Sequence, residues 1–293
     1  MTLHVVDTST YLFRAFVSVP PTIVLPGTKQ AANALYGLIG TLGRLIRERD
    51  VKRIVNVLDD VAADDERIAL DPAYKAERRD FPEGLASQCP YVEEVLGAAG
   101  FASLIAKGWE ADDVIATVAR LAHEKGEDVA IVGIDKDLLQ VLQPGDSWID
   151  LARDRAFGHA DANQVLGVPP ERTADFLALA GDSVDAIEGV PGIGKKTAAL
   201  LVNALGGIDA IYANLDGVLE ISGLRGAASI KKKLAENEAG ARRALVLATL
   251  KANAPVTLDL DACAYRGTTE AGRKLLKEKF GFSSFAEKLP RAD

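Results

Sequence analysis

The chain has 293 residues, of which 48% are hydrophobic and 26% charged, and its net charge is −8 at pH 7. This length allows one large domain or two smaller ones, and the hydrophobic content is sufficient for a buried core. No apolar run approaches the roughly 20 residues of a membrane span, and the N-terminus lacks the layout of a signal peptide, so we expect a cytoplasmic protein without membrane contact. With two cysteines and three histidines, the sequence has no disulfide framework and no Cys/His zinc signature, so any metal must use oxygen ligands.

Three apolar, β-branched segments each lead into aspartate. They are HVVD, ending at Asp7, RIVNVLDD, ending at Asp59 and Asp60, and DVAIVGIDKD, which contains Asp135 and Asp137. They alternate with helical patterns over 31–49, 88–99 and 111–125, which indicates an α/β fold with a parallel sheet. Because ligands collect at the carboxyl ends of such strands, we expect these aspartates to share one edge of the sheet. The alternative, that each is an ordinary turn residue, weakens when three occur in succession.

The segment KGWEADDVIATVARLA, residues 107–122, places three carboxylates at the start of an apolar helical pattern. Glu110, Asp112 and Asp113 lie where the helix dipole stabilises negative charge, by about 0.3–1 kcal/mol each. Three neighbouring carboxylates nevertheless repel one another unless positive charge lies opposite them. This stretch alone is compatible with a solvated helix start or with a cation site.

The segment DERIALDPAYKAERRDFPEG, residues 65–84, is polar, interrupted by proline and rich in basic residues. It predicts an exposed excursion from the core, with Lys75 and Arg78 among the basic residues and Tyr74 next to them. Such a segment is usually a solvated loop. Interleaved aromatic and basic residues also suit the backbone and bases of a nucleic acid.

From about residue 170 the pattern is helical, so we expect an α/β region over 1–170 and a smaller helical region over 171–293. Within it, residues 191–251 carry nine basic and five acidic side chains, a positive segment in an acidic chain. Lys and Arg drive phosphate binding by displacing counterions. The charge distribution therefore favours a nucleic-acid partner that the net charge alone would argue against.

The segment GVPGIGKKTAALLV, which begins at Gly189, nearly matches a nucleotide-binding phosphate loop. It fails because Lys196 stands where a metal-binding hydroxyl is needed and because no strand is predicted before it. We favour a tight turn between two helices, in which Gly192 and Gly194 let backbone N–H groups approach a phosphate beside Lys195 and Lys196. Such a turn grips one DNA strand without reading its bases. A purely structural helix-turn-helix is the alternative.

Two further acids, Asp182 and Asp185, lie just before this turn and complete a set of nine carboxylates at element ends. The set is Asp7, Asp59, Glu110, Asp112, Asp113, Asp135, Asp137, Asp182 and Asp185. Without them the net charge of −8 would be +1. Oxygen ligands at this density suit Mg²⁺ or Mn²⁺. Two such ions about 3.5–4 Å apart would activate a water and stabilise the leaving oxygen of a phosphodiester.

These motifs resemble those of the bacterial 5′ nucleases, or flap endonucleases, which occur as the N-terminal domain of DNA polymerase I and as free-standing proteins. The resemblance rests on VVDTSTYLFRAF, VLDD, DPAYKAERRDFPEGL, GWEADDVIAT, IVGIDKDLLQ and LALAGDSVDAIEGVPGIGKKTA, in that order. It implies a PIN-like α/β core with a mostly parallel sheet and a helix-three-turn-helix DNA-binding region. It also implies a metal-dependent flap endonuclease and 5′-3′ exonuclease that cuts DNA with 5′ flaps, nicks or 5′ ends. Because the sequence ends at Asp293 without a polymerase region, we expect a free-standing protein. We also expect a monomer.

The resemblance further implies individual roles. The first metal's ligands are Asp7, Asp59, Glu110 and Asp112, and the second metal's are Asp113, Asp135, Asp137, Asp182 and Asp185. Asp112 and Asp113 also belong to the predicted catalytic set, together with Lys75 and Arg78.

Residues 66–85 occupy the place of the family's helical arch, through which the 5′ strand passes. Lys75 and Arg78 match basic positions of that arch, with Tyr74 as a neighbouring DNA contact and Arg14 as a further phosphate contact. In the glycine turn, backbone carbonyls around Val190 and Ile193 are expected to hold K⁺ beside the DNA phosphate.

Two questions stay open from sequence. LDDVAADDER departs from the family pattern, so either Asp59 or Asp60 could be the ligand. A DNA-binding protein without catalysis, or a ribonuclease on the same acidic core, are the rival functions. A DNA-binding protein without catalysis would lack one of the carboxylates, but none is missing from this chain. A ribonuclease would not need the glycine turn.

Overall fold

The structure, a computed structural model, describes residues 1–60, 65–76 and 82–292. Its first half is built on a six-stranded sheet. The strands are β1 (Thr2–Asp7), β2 (Arg53–Leu58), β3 (Ala102–Ile105), β4 (Asp128–Val132), β5 (Ser147–Asp150) and β6 (Arg155–Gly158). Across the described residues they lie in the order β3-β2-β1-β4-β5-β6, and all neighbours are parallel except β5 and β6. The predicted α/β fold with a mostly parallel sheet is confirmed.

Helices cover both faces of the sheet and make up most of the second half. In chain order they are α1 (Thr8–Ser18), α2 (Asn33–Glu48), α3 (Asp65–Leu70), α4 (Glu83–Ala86), α5 (Val92–Ala98), α6 (Ala111–Glu124), α7 (Asn163–Leu166), α8 (Thr173–Ala180), α9 (Lys195–Leu205), α10 (Ile208–Ala213), α11 (Ala227–Glu236), α12 (Glu238–Ala248), α13 (Glu270–Glu278) and α14 (Ser283–Lys288). The three helical patterns predicted in the first half correspond to α2, α5 and α6. No described helix combines the length and apolar character that a membrane crossing requires.

Alternating strand residues enter two different cores, as the two-residue period of a strand requires. Val6 of β1 packs with α2 and α5 on one face of the sheet, whereas Leu3 and Val5 pack with α6 on the other. The central strands are buried on both sides, which explains their continuous apolar runs. In the register of the sheet, Asp7 lies opposite Val57. The carboxyl ends of β1 and β2 therefore reach the same edge.

A third core forms among α8, α9, α10, α11 and α12. The predicted region 171–293 is not uniform in its packing, however. Leu276, Phe280 and Phe282, in and just after α13, are buried in the core of the first sheet face, and Cys263 lies in the core of the second. The segment after about residue 254 thus returns to the sheet, because its large apolar side chains find their partners there rather than among α8 to α12.

Candidate active site

The carboxyl edge of the sheet gathers the strand-terminal aspartates. Asp7 ends β1 and caps α1, accepting a hydrogen bond from the Thr10 backbone N at 3.1 Å. Burial raises the pKa of Asp7 to about 7; the hydrogen bond from Thr10 lowers it in part, and the nearby charges of Asp59 and Asp135 raise it further. The prediction that these strand ends form one acidic edge is confirmed.

Asp112 and Asp137 extend the same cluster. Burial raises the pKa of Asp112 well above its usual range, and although Lys75 opposes the rise, Asp135 and Asp7 add to it. Burial likewise raises the pKa of Asp137 to about 8, with contributions from Asp135 and from the two acids before the glycine turn. Carboxylates that oppose one another's ionisation are a donor set that a divalent cation would neutralise.

The structure distinguishes the two aspartates after β2. Asp59 Oδ1 accepts a hydrogen bond from the Ala111 backbone N at 2.6 Å, at the start of α6, and its charge acts on Asp7 and Asp112. Asp60 Oδ2 instead accepts from the Gly108 backbone N at 2.7 Å. These contacts favour Asp59 as the member of the acidic cluster.

Glu110 occupies the N-cap position of α6 without a side-chain capping hydrogen bond, and it is buried. One of its oxygens, Oε2, accepts hydrogen bonds from three donors: Arg67 Nη1, the Tyr74 hydroxyl and Lys75 Nζ, each at 3.0 Å. All three donors come from the segment between β2 and α4. The predicted excursion is therefore fastened to the start of α6.

Lys75 reaches into the acidic cluster. Beyond Glu110, its ammonium lies 3.6 Å from Asp112 Oδ2 and 3.5 Å from Asp185 Oδ2. These carboxylates outweigh the effect of burial and hold the pKa of Lys75 well above its usual value. Lys75 adopts a positive φ of 47°. The structure thus places this predicted catalytic lysine among three predicted metal ligands.

The two acids before the glycine turn belong to a tight loop. Asp182 and Ile187 exchange backbone hydrogen bonds of 2.9 and 2.8 Å, and Asp182 Oδ1 accepts from the Val184 backbone N at 2.7 Å. The loop brings Asp185, which is buried, to Lys75, and places the charges of both acids near Asp137. The loop before the glycine turn therefore brings two of the second metal's predicted ligands, Asp182 and Asp185, to the strand-end cluster.

Asp113 departs from its prediction as a catalytic residue and metal ligand. It is 1% exposed, and both carboxylate oxygens are already bonded. Arg67 donates to Oδ2 at 2.8 Å and to Oδ1 at 2.9 Å, and the Lys251 backbone N donates to Oδ1 at 2.7 Å. The side chain points into a bidentate ion pair. We therefore replace the predicted ligand role of Asp113 with that of a partner of Arg67.

Tyr74 departs from its prediction as a DNA contact. Its ring is 3% exposed and packs in the core formed by α8 to α12, and its hydroxyl donates to Glu110. A ring with no exposed face cannot stack on a base. Arg67, in the same predicted excursion, is buried as well.

Of the other predicted DNA contacts in the first half of the chain, the structure describes Arg14 but not Arg78. Arg14 is exposed on α1, seven residues after Asp7. It lines a cleft of about 280 Å³ between α1 and α2 that also contains Arg44. Arg78 lies outside the described residues, so its predicted role is untested.

The glycine turn has the expected form, with no strand before it. Gly192 adopts a φ of 75°, and Gly194 caps α9, whose first residues Lys195 and Lys196 are exposed. A nucleotide-binding phosphate loop, which follows a strand, is excluded. Lys233 also contacts this turn, although no sequence motif marks it: its ammonium lies 3.3 Å from the Gly192 carbonyl oxygen.

Within the described part of the chain, no three Asp, Glu, His or Cys side chains are arranged closely enough to hold a metal ion as they stand. Lys75 supplies positive charge to three of the carboxylates instead. The chemistry of the donors nevertheless fits a hard divalent cation, since every member of the cluster offers carboxylate oxygen and three of them resist ionisation.

Two family models cover most of the sequence. The model for "5'-3' exonuclease, N-terminal resolvase-like domain" matches residues 2–167, and the model for "5'-3' exonuclease, C-terminal SAM fold" matches residues 168–271. The chain belongs to the 5′-3′ exonuclease family. The resemblance that the sequence motifs suggested is thereby confirmed.

Individual relatives agree with this membership. The chain is 36% identical to a DNA polymerase I of Rhizobium leguminosarum over 270 residues, which are 89% of this chain and 25% of that protein. It is 35% identical to a 5′-3′ exonuclease of Aquifex aeolicus over 213 residues, 73% of each protein. The chain thus spans about a quarter of the polymerase relative and most of the shorter exonuclease.

Solved structures show the same fold at lower identity. T5 5′-exonuclease with bound zinc superposes with a TM-score of 0.66 at 22% identity, over 98% of this chain and 100% of that one. Human GEN1 in complex with Holliday junction DNA gives 0.64 at 17% identity, over 98% and 70%. The fold, an α/β core with a helical region, is therefore common to all three proteins.

Proposed function

We propose that this protein is a structure-specific 5′ nuclease that acts as a flap endonuclease and 5′-3′ exonuclease on branched or nicked DNA. The observation that carries the proposal is the convergence of carboxylates from β1, β2, β4, α6 and the loop before α9, in a chain of the 5′-3′ exonuclease family. Incubation of a 5′-labelled flap with and without Mg²⁺ tests it. We expect short 5′ products only with Mg²⁺, and an intact flap under both conditions would refute it.

We propose that two divalent ions, Mg²⁺ or Mn²⁺, are held by eight carboxylates. Asp7, Asp59, Glu110 and Asp112 would hold the first, and Asp135, Asp137, Asp182 and Asp185 the second. Bound metal would supply an activated water and stabilise the leaving oxygen of the phosphodiester. Burial, with added repulsion from neighbouring aspartates, raises the pKa of Asp7 and Asp137, and this supports the assignment because a bound cation favours the ionised carboxylates. Divalent metal in the T5 5′-exonuclease is a further argument.

Lys75 is proposed to act on the phosphate that is cleaved. Its ammonium lies among Glu110, Asp112 and Asp185, so a phosphate bound at this carboxylate cluster would lie close to it. A fixed positive charge there stabilises the transition state, in which negative charge develops on the phosphate oxygens. We retain the same role for Arg78 by its position three residues later in the sequence.

The helical region is proposed to grip the duplex. Gly192 and Gly194, just before α9 and at its N-cap, are exposed, and so are Lys195 and Lys196 in its first turn. This arrangement suits successive phosphates of one strand. Arg14, exposed on α1 near the acidic edge, is proposed as a separate phosphate contact. The bound DNA in the human GEN1 structure supports a DNA partner for this fold.

K⁺ at the carbonyls around Val190 and Ile193 stays a prediction. The Val190 carbonyl accepts a hydrogen bond from the Ile193 backbone N at 2.9 Å, and Lys233 contributes its own positive charge at the neighbouring Gly192 carbonyl. We propose that Lys233 meets part of the need for a cation at this turn. Binding of DNA is then expected to depend only modestly on K⁺.

We propose that the protein acts as a monomer. We also propose a cytoplasmic location and a role in DNA replication and repair, where 5′ flaps and nicks arise. The division at residue 170 is proposed as the boundary between the part that carries most of the carboxylates and the part that carries the DNA grip.

A further inference from the structure

One buried guanidinium joins three parts of the molecule at the acidic cluster. Arg67, in α3, is 2% exposed. It donates to Glu110 Oε2 at 3.0 Å, to both oxygens of Asp113, and to the Thr249 carbonyl at 2.9 Å. Glu110 and Asp113 belong to the start of α6, and Thr249 directly follows α12. Arg67 thus links the segment after β2, the acidic helix and the helical region.

Asp113 serves as the anchor of this arginine. It forms a bidentate pair with the guanidinium and accepts a further hydrogen bond from the Lys251 backbone N at 2.7 Å. The Thr117 hydroxyl donates to the Asp113 carbonyl at 2.8 Å and accepts from the Ala254 backbone N at 2.9 Å. Hydrogen bonds therefore hold residues 249–254 against α6. The Asp113 side chain cannot rotate toward the acidic cluster without breaking its own hydrogen bonds.

Arg67 and two residues that follow it in sequence fix the orientation of the Glu110 carboxylate. Arg67, Tyr74 and Lys75 all donate to its Oε2, whereas its Oε1 accepts no hydrogen bond from the described residues. Two of these donors, Arg67 and Tyr74, are themselves almost fully buried, so they hold the carboxylate in one orientation. The other oxygen is left available to a ligand.

We propose that Arg67 is a positioning residue of the nuclease: anchored by Asp113, it fixes Glu110 so that one carboxylate oxygen is kept for the metal. The inference rests on the proposed function and adds to it a residue that touches neither substrate nor metal. Partners that orient a metal ligand typically contribute about 10–100-fold to metal affinity or activity. The role explains why a third acid stands at the start of α6 although its oxygens are fully bonded.

The test uses a variant in which the local charge is conserved. Arg67→Met alone would leave Asp113 buried without its partner, which endangers folding. The double variant Arg67→Met/Asp113→Asn removes one positive and one negative charge together, so any change in metal affinity reports orientation rather than net charge. Tyr74→Phe removes a single hydrogen bond to Glu110 and keeps the packing of the ring.

Mn²⁺ binding to the DNA-free protein, followed by electron paramagnetic resonance, is the primary measurement. We expect the Mn²⁺ dissociation constant to rise about tenfold in the double variant and by a smaller factor in Tyr74→Phe. Flap affinity measured without divalent metal should stay within about twofold of wild type, because no phosphate contact is removed.

Arg120→Met is the matched control. Arg120 also donates a hydrogen bond to the chain after α12, to the Ala252 carbonyl oxygen at 2.8 Å. It lies further along α6, however, and among the described residues it contacts none of the proposed metal ligands. It should leave Mn²⁺ affinity unchanged. Wild-type Mn²⁺ affinity in the folded double variant would overturn the inference and leave the nuclease assignment intact. A wild-type chain that neither binds Mn²⁺ nor cleaves a flap would overturn the proposed function itself, and the inference with it.

Discussion

Lys75 and Asp185 are joined by two interactions, a backbone hydrogen bond and an ion pair between their side chains. The Lys75 backbone N donates to the Asp185 carbonyl at 3.0 Å, and the Lys75 ammonium lies 3.5 Å from Asp185 Oδ2. Lys75 follows β2 in the chain, whereas Asp185 precedes the glycine turn. The contact therefore fastens the basic segment to the loop that brings the last two carboxylates to the cluster, and it ties the geometry of the two regions together.

The first prediction concerns the Lys75 ammonium. Lys75→Met removes the charge and retains both the aliphatic stem and the backbone hydrogen bond to Asp185. Cleavage at saturating flap should fall about 100-fold, because the charge acts mainly on the transition state, and flap affinity should fall far less. Single-turnover rates and binding isotherms check this, with Lys75→Arg as the charge-conserving control. Equal losses in rate and affinity would show simple docking instead.

The second prediction concerns pH and the stability of the metal-free protein. Because folding raises the pKa of Asp7 to about 7 and that of Asp137 to about 8, both groups favour the folded state when protonated. Their stabilising contribution is complete below about pH 4, the ordinary range of an unfolded aspartate, and is lost as the pH rises through about 7 to 8. Melting in EDTA should therefore occur at a lower temperature at about pH 8 than at about pH 5.5.

Two additions isolate that contribution. Mg²⁺ should raise the melting temperature more at about pH 8 than at about pH 5.5, because it binds the ionised cluster. The variant Asp7→Asn/Asp137→Asn should flatten the pH dependence in EDTA. An unchanged pH dependence in this variant would show that other groups govern it.

The positions of the site residues could be predicted from the sequence where they lie at the ends of regular strands and helices. A parallel sheet brings consecutive strand ends to one edge, so Asp7, Asp59 and Asp135 could be placed together from their positions after apolar runs. The start of α6 could likewise be predicted, because the apolar residues after Glu110 recur at helical spacing. Local patterns were sufficient because regular elements fix the direction of their own ends.

The parts that were wrong depend on contacts between distant segments. Nothing in DERIAL or DPAYK marks Arg67 and Tyr74 as buried, since both sit in a polar, proline-containing stretch and are covered by α6, the chain after α12 and the helical core. Asp113 looks like its neighbour Asp112 in sequence, and only the side of the helix on which Arg67 lies distinguishes them. Lys233 reaches Gly192 across 41 positions of the chain.

The third prediction concerns the glycine turn as a DNA grip. Lys195→Ala/Lys196→Ala should remove about two phosphate contacts and flatten the log–log salt dependence of flap binding by about 1–2 units. Single-turnover cleavage at saturating DNA should fall little, whereas cleavage at low DNA concentration should fall steeply. Lys274→Ala/Lys277→Ala, which removes two exposed lysines of α13, is the charge-matched control. A salt slope that is equal in both variants would refute the grip.

The fourth prediction concerns the cation at the same turn. Lys233→Ala removes the ammonium from the Gly192 carbonyl and leaves that oxygen open to a monovalent ion. Flap binding by this variant should become more dependent on K⁺ than wild type, relative to a larger cation at equal ionic strength. Lys232→Ala, at the preceding and more exposed position, should not change the dependence. If Lys233→Ala also leaves it unchanged, Lys233 does not substitute for K⁺.

The central claim is that the carboxylates at the edge of the sheet perform metal-dependent hydrolysis, and Asp112 tests it most directly. The decisive measurement is single-turnover cleavage of a 5′-labelled flap in Mg²⁺ by Asp112→Ala, beside its affinity for the same flap without metal. Asp209→Ala, which removes an exposed aspartate paired with Arg242, is the control. We predict that Asp112→Ala binds the flap as wild type does and leaves it uncut, while Asp209→Ala cleaves normally. Cleavage by Asp112→Ala at the wild-type rate would contradict the account.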